Sequence, residues 1–479
     1  MICMRNLFLI LSCLTSFVLT AQDIIPLSLD QAVKHAVEFN RELKNADLSR
    51  QQTKKQAWEI LTIGLPKISG NIDYNYYIIE PFQPAINRAF ASGPTPRAFE
   101  YLTAQGLATG DSTLYNIFSS SSSSSNKKDN PFILSNNANA SITISQLLLD
   151  GRYFIGLQAR KKLMEVAEQQ KKLTEKTLTH DVRKAYFAAL IAGESKNVLE
   201  ANLTVLEKLL NDTRKVFQEG FAEELDVEKL ELGVNKLRIQ LDKSTRQYEN
   251  AVDYLKFKIG MDFKQEVSLT DSLSSLRRQM DESISNSFTP DRRMEYALLK
   301  NREILQSYDI KQKFSANFPT LISFVNIGYT AQSDDLKELF TGKTYDGYNV
   351  WNPQGIFGLK LSVPIFDFGG NRAVVQQARL EQKKAENDRL NFEQAAQMQV
   401  NVAQNNFNHA LADEKNNLRS VQLAEKIFNK ARIMFREGLG NSFDLVQAET
   451  DYTTSQIELK LSLFNLLMMR EELLSATGD

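Results

Sequence analysis

Hydrophobic and polar positions repeat with two different periods along this chain, and the switches between them divide it. From Lys67 to Ile78 the period is two. Ile68, Gly70, Ile72, Tyr74, Tyr76 and Ile78 share one face, and Lys67, Ser69, Asn71, Asp73, Asn75 and Tyr77 the other. Residues 137–145 set Ala138, Ala140, Ile142 and Ile144 against Asn137, Asn139, Ser141, Thr143 and Ser145. A third run opposes Val325, Ile327, Tyr329 and Ala331 to Asn326, Gly328, Thr330 and Gln332. A fourth opposes Phe357, Leu359, Leu361 and Val363 to Gly358, Lys360 and Ser362. Alternation of this kind predicts strands with one apolar and one polar face, placed at 67–78, 137–148, 321–332 and 354–365. A half-buried sheet in a soluble protein gives the same pattern, but the lengths suit membrane strands, which need about 9–11 residues.

Elsewhere the period is helical. Ser28-Leu-Asp-Gln31 has the form of a capping box and opens a helix expected to run to about Leu65, where Pro66 stops it. No proline occurs from Gly151 to Phe288. There Leu178, Val182, Ala185, Ala189, Ala192, Leu199, Leu203, Leu206, Leu210 and Phe217 follow alternating steps of four and three, missing one place at Lys196. Leu230, Val234, Leu237, Leu241, Ser244, Tyr248, Ala251 and Leu255 continue the rhythm. This is a heptad seam, which predicts helices packed as a coiled coil. A helix from Gly151 to about residue 215 would span about 97 Å, so an elongated molecule is expected. A second seam includes Val400, Ala403, Phe407, Ala410, Val421, Ala424, Phe428, Ala431 and Phe435, then Leu445, Ala448, Tyr452, Ser455, Leu459, Leu466 and Leu473.

Each seam is broken once, at FQEGFAEELD (217–226) and at FREGLGNSFD (435–444); Phe, Glu, Gly and Asp recur 218 positions later. The order helix, strand, loop, strand, long helix, tip, returning helix therefore occurs twice, which predicts an internal duplication. The first repeat covers 22–261, with its hairpin at 151–261 and tip near Gly220; the second covers 290–479, with its hairpin at 369–476 and tip near Gly438. Residues 262–289 lose the seam and are expected to be a polar connector, after which Pro290 restarts a helix at its first position. The first outer loop, 79–136, carries Pro81, Pro84, Pro94, Pro96 and the run Ser119–Ser125, a composition that predicts a mobile loop. The second, 333–351, carries Tyr345, Tyr348 and Trp351, aromatics suited to a membrane-interface girdle.

Composition narrows the function. With 42% hydrophobic and 24% charged residues and a net charge of −1, neither disorder nor a nucleic-acid partner is favoured. Arg5 and the apolar run Leu7–Leu19, ending in Leu19-Thr20-Ala21, predict a signal peptide over 1–21. Both cysteines, Cys3 and Cys13, fall inside it, which removes disulfides and thiolate chemistry from the mature chain; lipidation at Cys13 is the alternative to ordinary cleavage. Beyond it no apolar stretch is long enough for a spanning helix. His35, His180 and His409 lie far apart in polar helical patterns and are expected at the surface, as are the acid pairs Glu223-Glu224 and Glu471-Glu472. No GxGxxG, Walker, GxSxG or HExxH motif is present, so neither enzyme, cofactor nor metal is expected.

The opening LSLDQAVKHAVEFNREL, the junctions ISQLLLDGR and LSVPIFDFGGNR, and the two glycine-to-aspartate tips resemble the TolC family of outer-membrane efflux and secretion ducts, over essentially the whole mature chain. The resemblance implies an α+β membrane protein and a homotrimer. Four strands per chain would make one twelve-stranded barrel in outer-membrane lipid, continued by a helical coiled-coil barrel in the periplasm. It implies a periplasmic adaptor and an inner-membrane transporter as partners, with passive export of small molecules. Protein secretion of type I is the alternative client, and a soluble periplasmic coiled-coil scaffold the alternative architecture. Carried onto these residues, it makes Asp226 and Asp444 a cation-binding ring at the tunnel mouth, where the bland reading is a carboxylate favoured by the helix dipole. It makes Gly220, Phe221, Ala222, Gly438, Leu439 and Gly440 adaptor-contacting tips. Three positions depart from the family pattern: Phe435 replaces a gating tyrosine, Gly440 an arginine, and Gln447 an acidic residue. Either packing of Phe217, Phe435 and Leu439 holds the tips in place of those polar links, or the resting mouth is leakier.

Overall fold

The computed structural model describes residues 24–78, 135–220, 222–280, 288–343 and 349–478. The expected leader with Cys3 and Cys13, the loop 79–136 apart from its last two residues, Phe221, Tyr345 and Tyr348 lie outside the described residues. In chain order the first elements are β1 (Ile25–Leu27), α1 (Leu29–Phe39), α2 (Arg41–Thr62), β2 (Lys67–Tyr76), β3 (Asn136–Leu149), α3 (Gly151–Gln218) and α4 (Glu224–Ile259). There follow β4 (Val267–Leu269), α5 (Leu273–Gln279), α6 (Met294–Phe314), β5 (Thr320–Ser333), α7 (Leu336–Thr341), β6 (Trp351–Ser362), α8 (Gly370–Arg436) and α9 (Ser442–Thr477). They form two units. One takes in Met1–Trp58, Gln158–Ile310 and Val375–Asp479; the other takes in Glu59–Leu157 and Lys311–Val374.

In the helical unit the seam positions other than Phe217 are buried or half-buried, as their spacing requires. Leu178, Val182, Ala185 and Ala189 of α3 pack with Val252 and Leu255 of α4, Ala403 and Phe407 of α8, and Leu466 and Leu473 of α9. Toward the tips, Leu199, Leu203, Leu206 and Leu210 pack with Leu230, Val234 and Leu237. The amino-terminal helix starts on the expected capping box, with Gln31 N donating to Ser28 Oγ at 3.3 Å and Ser28 N to Gln31 Oε1 at 2.9 Å. It does not run unbroken to Leu65. Asn40 is extended (φ −61°, ψ 132°); its Oδ1 accepts from Glu42 N at 2.7 Å and restarts the helix as α2, while its Nδ2 donates to Lys258 O at 2.7 Å. The break is a built joint that ties the start of α2 to the last turn of α4.

The connector is likewise more structured than its polarity predicts. β4 pairs in parallel with β1, Ile25 with Val267 and Leu27 with Leu269. α5, capped by Ser272, buries Leu273 and Leu276 in the main core. The fully buried Tyr186 ties these pieces to α3: its hydroxyl lies 2.9 Å from Leu27 O and 2.8 Å from Asp271 Oδ2. Asp271 also accepts Leu29 N at 2.8 Å. Burial and the neighbouring Asp271 both push the phenol pKa up, so Tyr186 is a neutral donor. Tyr186→Phe keeps the ring but strips this donor from two acceptors, and is expected to cost about 1–3 kcal/mol. A lowered guanidinium midpoint of the helical circular dichroism would show it; an unchanged midpoint would mean the hydroxyl contributes nothing net. Pro290 opens a single 3₁₀ turn, Pro290–Arg292, and not the helix itself. Arg293 is extended there (φ −85°, ψ 130°), so α6 begins only at Met294.

The other unit is built on one antiparallel sheet in the order β2-β3-β5-β6. All four alternating segments join it. The last strand begins earlier than the alternation predicts, at Trp351, because the ladder with β5 reaches Ala331. It stops at Ser362, just before Val363-Pro364, where proline has no donor to give. Register keeps the two faces separate. Ile72, Ala140, Tyr329 and Pro353 form one row, Gly70, Ile142, Ile327 and Gly355 the next, and Ile68, Ile144, Val325 and Phe357 a third. On the opposite face Asp73, Asn139, Thr330 and Asn352 stand in register, as do Asn71, Ser141, Gly328 and Gln354. Polar side chains there bond across strands, Asn326 Nδ2 to Thr143 Oγ1 at 2.7 Å and Gln354 Nε2 to Asn139 Oδ1 at 3.0 Å. The apolar face is left bare in the single chain: Ile72, Ile327 and Phe357 are 86%, 59% and 72% exposed.

Candidate functional site

The two seam breaks are tight turns of the same design. α3 ends at Gly220 (φ 81°) and α8 leads into Gly438 (φ 68°), both left-handed, a conformation in which glycine alone has no Cβ penalty. At the second, Leu439 N reaches back to Met434 O at 2.9 Å and Gly438 N to Phe435 O at 3.1 Å, the paired bonds of a Schellman motif. At the first, Gly220 N donates to Phe217 O at 2.9 Å.

The aspartates open the returning helices, in the first turn of α4 for Asp226 and of α9 for Asp444. Neither is the cap. Glu223 stands at the N-cap of α4 without a side-chain bond. Asn441 caps α9, its Oδ1 accepting Asp444 N at 2.8 Å while its Nδ2 donates to Asp444 Oδ2 at 2.9 Å. One amide therefore fixes both the backbone and the carboxylate of Asp444. The signal was present in the sequence, since asparagine is a favoured cap residue. Asn441→Ala is expected to cost about 1 kcal/mol, read as faster amide exchange over the first turn of α9 with the first turn of α4 unchanged.

Phe435 is half-buried and packs against two clusters, one that includes Leu206, Leu230 and Val234 of the first hairpin and one formed by Phe428, Leu445 and Ala448 of the second. Phe217 is 39% exposed and Leu439 77% exposed, so neither is packed within the chain as Phe435 is. Gly440 lies against its own hairpin: a Cβ there would come within 3.2 Å of Met434 Cβ and Phe435 N, which leaves no room for a larger side chain without a shift. Ala222 is half-buried and Gln447 exposed, Nε2 of the latter donating to Asp451 at 2.8 Å.

Two polar layers behind the tips have no signal in the heptad pattern. Glu449 is buried and accepts from Thr453 Oγ1 at 2.7 Å; Asn202 Nδ2 of α3 donates to Thr453 Oγ1 and Gln456 Oε1, both at 2.8 Å. Burial pushes the Glu449 carboxyl pKa up against the opposing effect of Thr453. Farther along α9, Glu471 is buried and not a surface charge. Its oxygens lie 3.1 Å from His180 Nδ1 and 3.2 Å from Arg183 Nη1. His180 is therefore not a free surface histidine, and His35 too has a partner, Ile259 O at 3.0 Å. His409 stays exposed beside Asp413. Among the described residues no helix is long and apolar enough to cross a membrane.

This arrangement has known relatives. The family model for outer membrane efflux proteins matches residues 113–261 and 303–479, more than half of the chain. The chain belongs to the outer membrane efflux protein family. Within that family's range, outer membrane protein TolC of Vibrio cholerae serotype O1 is 20% identical over 341 residues, 71% of this chain and 76% of its own. Among solved structures, CusC, which forms a transmembrane channel, aligns with a TM-score of 0.70 at 16% identity, covering 94% of this chain and 92% of its own. The CmeC outer membrane channel of Campylobacter jejuni aligns with a TM-score of 0.67 at 17% identity, covering 94% and 85%. As an outer membrane efflux protein the chain resides in the bacterial outer membrane, with its helical barrel in the periplasm.

Proposed function

We propose that three copies of this chain form a passive export duct, each contributing its four strands to one twelve-stranded barrel. The observation that carries the reading is the sheet. Its polar residues stand in register on one face and its bare apolar residues on the other, and among the described residues β2 and β6 are unpaired on their outer edges. Open edges are not tolerated in hydrocarbon, so lipid demands closure, and three copies close the ring with water inside and lipid outside. The two halves, 22–261 and 290–479, act as structural repeats joined through the connector 262–289. Small molecules reach the duct from an inner-membrane transporter through a periplasmic adaptor, which docks on Gly220, Phe221, Ala222, Gly438, Leu439 and Gly440. An unheated outer-membrane fraction on a denaturing gel is expected to give a heat-sensitive band near three times the mature mass. A soluble monomer would end the duct reading.

At the periplasmic mouth the threefold axis would repeat Asp226 and Asp444 as rings that attract cations. The exposed Phe217 and Leu439 would meet neighbouring copies, replacing with apolar packing the polar links that Phe435, Gly440 and Gln447 cannot make. The double variant Asp226→Asn/Asp444→Asn is expected to lose cation preference in planar-bilayer recordings, with the trimer intact. An unchanged reversal potential in a salt gradient would remove the aspartates from the mouth.

A further inference from the structure

We propose that the β5–β6 hairpin carries a membrane foot: α7 lies on the lipid side of the sheet, and Phe340 enters the acyl-chain boundary of the outer leaflet. The inference rests on the barrel reading above and adds a specific occupant for this surface. At the end of the sheet where β3 and β6 begin and β5 ends, Ala138, Ala331 and Trp351 stand in one row. Directly paired residues face the same side, and residues two along a strand do too. Ala138 and Ala331 therefore share the face of Ala140, Tyr329 and Ile327, the apolar one. The two alanines leave a shallow place, and Leu339 fills it, burying Ala331 to 1% exposure and itself to 7%.

The helix is pinned in that position. Trp351 Nε1 donates to Leu339 O at 2.9 Å, Val350 N to Gly342 O at 3.2 Å, and Asp335 caps α7 through Lys337 N at 2.9 Å. A cover for the duct would instead lie over the polar row of Asn139, Thr330 and Asn352. With Leu339 turned inward, the next residue, Phe340, is 86% exposed, and Leu336 is 45% exposed. On the sheet face that Leu339 covers, Tyr329 and Ile327 are also exposed, at 54% and 59%. The acidic groups nearby are turned to internal donors: Asp334 accepts Ser135 N, and Glu338 accepts Ser333 Oγ. Leu336 and Phe340 offer hydrocarbon, which selects acyl chains as the partner, and the exposed Lys337 and Lys343 lie beside them, where long lysine stems can carry their charge back to the headgroup level. Aromatic side chains at this depth are suited to the membrane–water boundary.

The test uses the full-length protein reconstituted in phosphatidylcholine vesicles, with a nitroxide on Phe340→Cys and, separately, on Ile72→Cys and Asp73→Cys. Unsubstituted protein taken through the same labelling corrects for Cys3 and Cys13. Oxygen, which concentrates in hydrocarbon, and a water-soluble nickel complex report collisions. Position 340 is expected to follow position 72, with oxygen collisions raised and nickel collisions lowered relative to position 73. If 72 is in lipid while 340 reads like 73, or is shielded from both reagents, the foot is overturned and the barrel stands. If 72 itself reads like 73, the barrel reading fails, and the foot fails with it.

Discussion

Glu471→Ala is expected to destabilise the helical unit by about 3–5 kcal/mol, the range for removing one partner of a buried ion pair. Burial works against the Glu471 carboxylate, and the His180 hydrogen bond, the Arg183 charge and the Arg183 hydrogen bond outweigh it, holding its pKa below the usual glutamate value. Without the carboxylate, the guanidinium charge of Arg183 and the hydrogen-bonding groups of both Arg183 and His180 face a low-dielectric seam between α3 and α9 uncompensated. Arg183 is about a third exposed and can turn toward water, whereas His180 is mostly covered; the imidazole therefore bears more of the loss. Glu471→Gln retains an acceptor and is expected to fall between alanine and the natural residue. The paired change Arg183→Met/Glu471→Met removes the buried charge together with its guanidinium partner and is expected to recover part of the loss.

The sign with pH follows from the depressed pKa. The unfolded glutamate titrates near the ordinary value of 4.5. Above that value the stabilisation from Glu471 is fully present, and it is lost as pH falls through the lower folded-state value. Guanidinium midpoints of helical circular dichroism at neutral and acid pH, for Glu471→Ala beside the natural chain, give the difference directly. A gap between the two that is as large at pH values well below the folded pKa as at neutral pH would assign the loss to packing and not to charge.

How much of this was legible depended on whether a feature repeats. The heptad seams announced α3, α4, α8 and α9 because one buried side recurs over many turns, and residues such as Leu206, Leu230, Phe407 and Leu466 are buried as the spacing required. Alternation announced the four strands, since a one-residue slip would have mixed Ile142 with Asn326 across the ladder. The glycines of the two seam breaks marked the hairpin tips, though not the left-handed conformation they adopt there. What stayed hidden was polar and long-range. Glu471 meets His180 across 291 residues, and Tyr186 meets Leu27 across 159; no local period encodes either pair. Asn40 reads as an ordinary helical residue until Lys258 O is beside it. The ordered connector was hidden for the same reason, because β4 owes its existence to β1, at the far end of the repeat.

Ile327→Arg is expected to abolish the heat-sensitive trimer in the outer membrane, while Asn326→Arg is tolerated. The two residues are adjacent in the central strand β5 and differ in the face they present. Ile327 shares a row with Ile142 and Gly355 and is bare in the single chain. Asn326 lies opposite, donating to Thr143. An arginine facing lipid near the midplane costs about 2–4 kcal/mol, and closure by three copies would place that charge in the same layer three times. On the water side the same guanidinium remains hydrated, and the only loss is one cross-strand hydrogen bond, worth about 0.5–1.5 kcal/mol. Both variants carry the same added charge, so export and solubility effects are matched between them. Fractionation and unheated gels of the two strains decide the matter. If Asn326→Arg is the variant that fails, the faces are assigned the wrong way round, and the surface that carries α7 would line the water channel.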